Sequence, residues 1–393
     1  MNHSILNKEV QDFIHSNLKS DITKLILKGS SFEGVTIQEI AEQIEAKNKC
    51  EKKLPTWFSI KNIYYPNKLH IEQTSSEITA KYKANLVSGN SLIDITGGFG
   101  VDVYYFSQKV KNVTHCEINN ELSEIVSHNF DQFNIKNIET YIGDGLQYLE
   151  KSTSKFDWIY TDPSRRNDAK GKVFLLEDCL PNIPKNLNLL VEKSNNILIK
   201  VSPILDIKSA INELKFVKEI HIVAIENEVK ELLFILEKNY EQHIDIKTIN
   251  FNKKETQKFN FQLNEAISST FSEPKKYLFE PNAAILKAGA FQQVSTQLKI
   301  DKLHQHSHLY TSEEIVEFPG RSFEIMHTIS YNKKELTKLI PSKKANITTR
   351  NFPETVSEIR KKINFKDGGN QYLFFTTDIN NKHIVLICNK VYL

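Results

Sequence analysis

Apolar residues recur at three- and four-residue spacing early in the chain: Phe13, Ile14, Leu18, Ile22 and Leu25, then Ile37, Ile40, Ala41 and Ile44. That period predicts amphipathic helices. Pro55 and Pro66 then bracket an aromatic stretch from Trp57 to Tyr65, so residues 1–70 read as a helical N-terminal domain. From residue 71 the rhythm changes to short β-rich runs: SLIDIT (91–96), NVTHCEI (112–118), ETYIGD (139–144), FDWIYTD (156–162), NILIKV (196–201), EIHIVAI (219–225) and KELLFIL (230–236). Stretches of helical period separate most of them, the spacing of β-α-β crossovers in a parallel sheet. Only ENEV separates the last two, which predicts an antiparallel hairpin at the sheet edge.

The pattern therefore predicts an α/β fold: five parallel strands plus a terminal hairpin over 71–245, the Rossmann-like sheet of methyltransferases rather than of most dehydrogenases. Residues 246–276 are polar and without strong period, which reads as a linker or insertion. Residues 277–393 mix helical stretches around 283–298 and 354–363 with the runs RSFEIMHTI, YLFFTTD and HIVLICNKV. An α+β module of ferredoxin-like size fits this last segment.

The densest chemical signal is LIDITGGFGVD, residues 92–102. An apolar strand delivers Asp94, then turns through Thr96, Gly97, Gly98 and Gly100 before a helix begins near Asp102. Glycines in such a turn adopt positive φ and bring N–H groups close to a ligand. Acids follow at the carboxyl ends of the next strands: Glu117, placed to accept both ribose hydroxyls of an adenosine, then Asp144 with Gly145, placed to accept the adenine amine, then Asp162. A carboxylate at any one of these positions also suits a helix N-cap or a solvated loop. Four in register predict one nucleoside-binding crevice. A dinucleotide fingerprint would want a third glycine where Val103 stands, and Asp102 would repel a pyrophosphate at the helix N-terminus. Asp94 and Asp102 suit an ammonium group, so charge favours S-adenosyl-L-methionine.

The fourth run ends in Thr161-Asp162-Pro163-Ser164-Arg165-Arg166. An acid–proline turn there can hold an exocyclic amine against a sulfonium methyl, catalysis coming largely from position. Asp162 and Pro163 are the expected catalytic residues. Arg165 and Arg166 are expected to hold substrate phosphate by forked hydrogen bonds, an ion pair with Asp168 or Glu177 being the alternative. Lys200 and Ser202, at the end of the fifth strand, face the same crevice by topology. No cysteine stands in the Asp-Pro turn, which disfavours methylation of pyrimidine C5 through a cysteine adduct. Cys179 sits in an apolar run read as helical and packed.

Bulk properties narrow the partners. The four cysteines form no C-x-x-C pair, against a disulfide framework or a cysteine zinc site. His304, His306 and His308 alternate, but without a cysteine or acid at ligand spacing a polar loop is expected, and no metal. No apolar run is long enough to span a membrane, and the N-terminus lacks a signal-peptide core, so a cytoplasmic protein is expected. The net charge of +3 is uneven: residues 276–393 hold 17 Lys and Arg against 11 Asp and Glu. A basic module of this kind suits a polyanion such as RNA.

Several segments resemble the bacterial class I methyltransferases with a C-terminal THUMP-like domain, of the PG_1098 type of Bacteroidetes. They are KLPTW (53–57), EQTSSEITAKYKA (72–84), DITGGFGVD (94–102), DPSRR (162–166), KVSPILD (200–206), YLFEPNAAILKAG (277–289), GRSFEI (320–325) and NFPETVSEIRKKI (351–363). Members usually carry alanine where this chain has Ser164, which leaves Asp162 and both arginines in place. The resemblance implies a Rossmann-like S-adenosylmethionine-dependent methyltransferase domain with a helical N-terminal part and a ferredoxin-like or THUMP-like C-terminal module. It also implies Gln73, Ser75 and Thr79 as cofactor contacts. True THUMP domains bind structured RNA, so a base nitrogen of tRNA or rRNA is the expected target. Methylation of a small molecule or a protein is the alternative, and a non-catalytic RNA-binding module is a further one.

Overall fold

The computed structural model describes residues 1–165 and 175–392. The chain forms two compact units: Met1–Lys218 with Leu233–Gln242, and Glu219–Leu232 with His243–Leu393.

The first unit opens with helices. The longest, Ile37–Lys53, begins with a capping box in which the Thr36 hydroxyl and the Glu39 carboxylate each satisfy the other's backbone N–H. It buries Ile37, Ile40, Ala41 and Ile44, the face the period predicts. Trp57 is buried from the aromatic stretch that follows. Its ring meets Tyr104 and Phe133 edge-on, each with centroids 4.8 Å away, so the helical part clamps the helix that leaves the glycine turn.

The strands of this unit are β1 (Gly89–Asp94), β2 (Val110–Glu117), β3 (Ile138–Ile142), β4 (Phe156–Thr161), the short β5 (Ser164–Arg165) and β6 (Cys179–Leu180), and β7 (Ser194–Val201). With β9 (Glu228–Glu237) contributing Leu233–Glu237, the sheet order is β9-β7-β4-β1-β2-β3. The pairings from β7 through β3 are all parallel. The chain enters at the middle, fills one side as β2 and β3, then crosses to β4 and β7. The reversal falls between β1 and β4, and ligands bind at the carboxyl ends of the strands at such a point. Leu92, Ile93, Ile159, Leu198 and Ile199 are fully buried, as strands covered on both faces require. Cys179 pairs antiparallel with Arg165 in the small β5–β6 ladder, so it stands in a strand, not the helix expected of it. All four cysteines are buried and free.

The second unit corrects two expectations. Strands β8 (Val217–Ile225) and β9 do follow one another across a two-residue turn, Glu226-Asn227, at φ 48 and 64, the conformation of a type I′ hairpin. They are not the sheet edge. Strand β10 (Asp245–Phe251) pairs parallel with β8, and β11 (Thr256–Gln262) pairs antiparallel with β10. The stretch 246–276, expected to be a linker, thus carries most of two strands. The inward face of β10 includes Thr248 and Asn250, both buried, and these polar residues hide the alternation. The Thr248 hydroxyl donates to the Phe259 carbonyl at 2.9 Å, which satisfies it inside the sheet.

A separate sheet follows, built from β12 (Tyr277–Pro281), β13 (Asp301–Lys302), β14 (Tyr310–Ser312), β15 (Gly320–Ser330), β16 (Asn346–Arg350), β17 (Gln371–Thr377) and β18 (His383–Val391). Its order is β13-β14-β12-β15-β18-β17-β16. The run YLFFTTD is apolar without alternation because both faces of β17 are covered. Leu373 and Phe375 join Leu336, Ile359 and Ile363 of two helices, while Phe374 joins Leu278 and Phe323 on the other side. Among the described residues no helix is long and apolar enough to cross a membrane.

Candidate active site

Two acids hold the glycine turn from opposite sides. Asp94, the last residue of β1, is buried, and its Oδ1 accepts the Thr96 N–H at 2.8 Å, the Thr96 hydroxyl at 2.9 Å and the Gly97 N–H at 3.0 Å. Glu117, the last residue of β2, accepts the Gly98 N–H and the Asn119 N–H, each at 2.7 Å. Thr96 also accepts the Asp162 N–H at 2.8 Å, so the end of β4 is tied to the same turn.

The three glycines do different things. All have positive φ, at 42, 64 and 72 for Gly97, Gly98 and Gly100. A Cβ on Gly97 would lie 2.5 Å from the Cys116 carbonyl oxygen, and one on Gly100 would lie 2.7 Å from the Phe130 ring. Those two let the turn pack closely. A Cβ on Gly98 would meet nothing within 4 Å, so the turn is open there, as a ligand approaching backbone N–H groups requires.

Asp144 serves as the N-cap of helix Gly145–Lys151, its Oδ1 accepting the Leu146 N–H at 2.8 Å. Gly145 is a packing glycine: a Cβ there would sit 2.5 Å from the Ile95 backbone. That close approach sets Asp144 beside the end of β1. Two residues that sequence reasoning missed stand next to the acids. Ile118 is 71% exposed and Ile142 is 54% exposed, beside Glu117 and near Asp144 respectively. Apolar side chains left open at adjacent strand ends suit the faces of a planar base, and an isoleucine flanking a strand-end acid was the available signal. Open turn, two-oxygen acceptor and apolar flanks together fit an adenosine.

Asp102 lies in a buried network that sequence reasoning half anticipated. Its Oδ2 accepts the Ser75 hydroxyl at 2.8 Å and the Tyr160 hydroxyl at 2.7 Å, and its Oδ1 is 3.2 Å from the ammonium of Lys83. Lys83, fully buried, also donates to Ser75 at 3.1 Å. Burial pushes the Asp102 carboxyl up, but Lys83, Lys200 and the two hydroxyls outweigh it and leave it below the ordinary value. Of the other residues implied by resemblance, Thr79 is buried and Gln73 exposed.

Asp94 is pushed up to about 7, chiefly by burial and further by the charge of Asp102, against the hydrogen bonds from Thr96 and Gly97. An acid whose folded pKa lies above its unfolded value costs stability in full above about 7, and the cost fades as pH falls toward 4. Asp94→Asn keeps an oxygen for the same donors and removes the charge. The variant is expected to unfold at a higher temperature than the parent at pH 8, with the difference narrowing by pH 5. A lower midpoint at pH 8 would contradict this account of Asp94.

At the reacting end, the Asp162 carboxylate and the Lys200 ammonium form an ion pair. The Asp162 side chain is 37% exposed and that of Lys200 13%. Lys200, expected to contact substrate, is thus engaged with Asp162, and its charge also helps keep Asp102 ionised. Pro163 is buried and Ser202 exposed. Ile204, just beyond, is 76% exposed. Arg166 and the side chain of Arg165 lie outside the described residues, as does Asp168. In the second unit His304 bonds Asn381 and Asn351, and His308 stacks on Phe291. Among the described residues no group of three or more metal-ligating side chains comes together.

Comparison with known proteins bears on the fold and the family. A ferredoxin-like domain model matches residues 277–319 and a THUMP domain-like model matches 320–390. The crystal structure of a protein from Porphyromonas gingivalis W83, designated a methyltransferase, is similar at TM-score 0.89 and 32% identity, over 98% of this chain and 99% of that one. TrmK of M. capricolum in complex with S-adenosylhomocysteine matches at TM-score 0.32 and 19% identity, over 41% of this chain and 68% of its own. A Streptococcus mutans protein with the same ligand matches at TM-score 0.31 and 18% identity, over 41% and 96%. Both are too distant to bear on function. No curated protein sequence matches the chain.

A parallel sheet reversed between β1 and β4, with a glycine turn open at Gly98 beside that point, has the Rossmann-like architecture of a methyltransferase. Within that class the chain belongs to the family of the P. gingivalis protein, the methyltransferases that carry a C-terminal ferredoxin-like and THUMP-like module.

Proposed function

We propose that the protein is a cytoplasmic enzyme that methylates a base nitrogen in RNA, either tRNA or rRNA. S-adenosylmethionine supplies an electrophilic methyl group. Glu117 accepts the ribose hydroxyls, Asp144 the adenine amine, and Ile118 and Ile142 cover the base. Thr96, Gly97, Gly98 and Gly100 shape the turn against the cofactor, Gly145 lets Asp144 approach it, and Asp94 with the Ser75–Asp102–Lys83 network supports the methionine end. Asp162 accepts a hydrogen bond from the target amine and, with Pro163, fixes its lone pair toward the methyl. Arg165 and Arg166, which follow Pro163 after Ser164 in the sequence, hold a flanking phosphate; Lys200 orients Asp162.

The observation that carries this reading is Asp162. It is half-exposed, tied through its N–H to the Thr96 of the glycine turn, and held by Lys200. An acceptor fixed to the cofactor turn yet open to solvent suits an incoming neutral amine. The THUMP-like match supports RNA as its source. Nucleosides from total RNA of cells with and without the protein, compared by mass spectrometry, test the reading. One methylated base is expected to vanish without the protein. An unchanged nucleoside profile from cells lacking a protein that binds S-adenosylhomocysteine would exclude RNA.

A further inference from the structure

The second unit contains a cleft of about 600 Å³ that no role above uses. That volume is ordinary for a small-ligand pocket. Its walls are the β8–β9 turn, the β10–β11 turn, the entry to β15 and the end of β18.

Three features give it a chemistry. The floor is a fixed set of amides: Asn250 and Asn282 each donate to the Gln257 side-chain oxygen at 3.2 Å, and Gln257 donates to the Gly320 carbonyl at 3.0 Å. On the rim stands an exposed ring, Tyr392, 69% accessible. The ammonium of Lys254 is 4.8 Å from its centroid and that of Lys390 is 4.9 Å away. Among the described residues neither lysine forms an ion pair. Arg321, also in the lining, is anchored by Glu280, which lies behind it outside the lining and also binds Arg350 at 2.9 Å. Two guanidinium groups on one carboxylate leave a surplus positive charge. Glu226, Glu255 and Glu317 also line the cleft, so the lining as a whole is nearly balanced. Two of its four cations, Lys254 and Lys390, stand against the ring.

We propose that this cleft binds an unpaired nucleotide of an RNA strand, with its base stacked on Tyr392 and its flanking phosphates on Lys254 and Lys390. An aromatic face between cations is how single strands are gripped without sequence preference. An acidic peptide would use the lysines but gain little from the ring or the amides. The choice of a strand over a free nucleotide rests on the RNA reading above; the nucleotide chemistry of the cleft does not.

The test is fluorescence anisotropy of a labelled eight-nucleotide single-stranded RNA with the full-length protein, across a salt series. Tyr392→Ala is expected to weaken binding about tenfold, whereas Tyr392→Phe keeps it. Replacing Lys254 and Lys390 together with alanine is expected to flatten the salt slope by about 1.4, the value for two phosphates of a single strand. All three positions are on the surface, and an unchanged thermal midpoint shows that the variants fold. Wild-type affinity in the alanine variants overturns the proposal, as does displacement of the RNA by hexaglutamate. Binding of AMP as tight as that of the octamer overturns the assignment to a strand. Methyl transfer is followed in parallel. An RNA nucleoside methylated while Tyr392→Ala binds normally removes the cleft alone; binding lost in that variant with no RNA methylated removes the methylation reading alone.

Discussion

Asp162→Ala is expected to lower methyl transfer by about 10²- to 10⁴-fold, the range for a positioned acid–base or acceptor group, while S-adenosylhomocysteine binding changes less than about threefold. The separation follows from the geometry. The link from residue 162 to the cofactor turn is its backbone N–H, donated to Thr96, and alanine keeps that bond. The carboxylate points instead to Lys200 and to solvent. Stability should hardly move, because a partly exposed pair of this kind is worth about 1 kcal/mol at most. Asp162→Asn sharpens the reading: it keeps an acceptor oxygen but gives up the charge that holds Lys200, so it should fall between parent and alanine variant. Single-turnover transfer with saturating cofactor, beside calorimetry with S-adenosylhomocysteine, gives both quantities. An alanine variant that turns over at the parental rate would remove Asp162 from the reaction.

The parts of the fold legible in the sequence were those specified locally. The glycine turn could be read because positive φ is a demand on single residues, and Gly97, Gly98 and Gly100 meet it in sequence order. Strands β1, β2 and β4 announce themselves as apolar runs because their carboxyl-terminal halves are buried on both faces. Strands β10 and β11 did not, since Thr248 and Asn250 occupy inward positions and are satisfied only by neighbours that the sheet itself supplies. Gly145 looked like a ligand contact because a glycine after a strand-end acid has two explanations. Only the distance to Ile95 separates them. Lys83 was invisible for a similar reason: in KYKAN it resembles a solvated lysine beside Lys81, yet one is fully buried and the other exposed. Its partner lies beyond a whole strand in the chain, and no short-range pattern reports such a pair.

Lys83→Met is expected to destabilise the protein by about 3–5 kcal/mol near neutral pH, the cost of leaving one buried charge without its partner. In a protein of this size that lowers the unfolding midpoint by roughly 5 °C. The carboxylate left behind is Asp102, which keeps the Ser75 and Tyr160 hydroxyls but loses the nearest positive charge. Burial already pushes its pKa up, and with Lys83 gone that push meets less opposition. In the parent, the depressed Asp102 pKa gives stability that is present above the unfolded value and lost as pH falls. In the variant the raised pKa imposes a cost that is complete at alkaline pH and fades on acidification. The gap between the two proteins should therefore be widest near pH 8 and narrow toward pH 5. Removing both charges, as Lys83→Met with Asp102→Asn, should recover most of the loss, since a neutral network of similar shape no longer buries an unpaired ion. Cofactor affinity should stay low in the double variant, because the proposed role of Asp102 at the methionine end needs its charge. Thermal unfolding at the two pH values together with S-adenosylhomocysteine binding separates these effects. A double variant less stable than Lys83→Met alone would show that the pair contributes more than charge compensation.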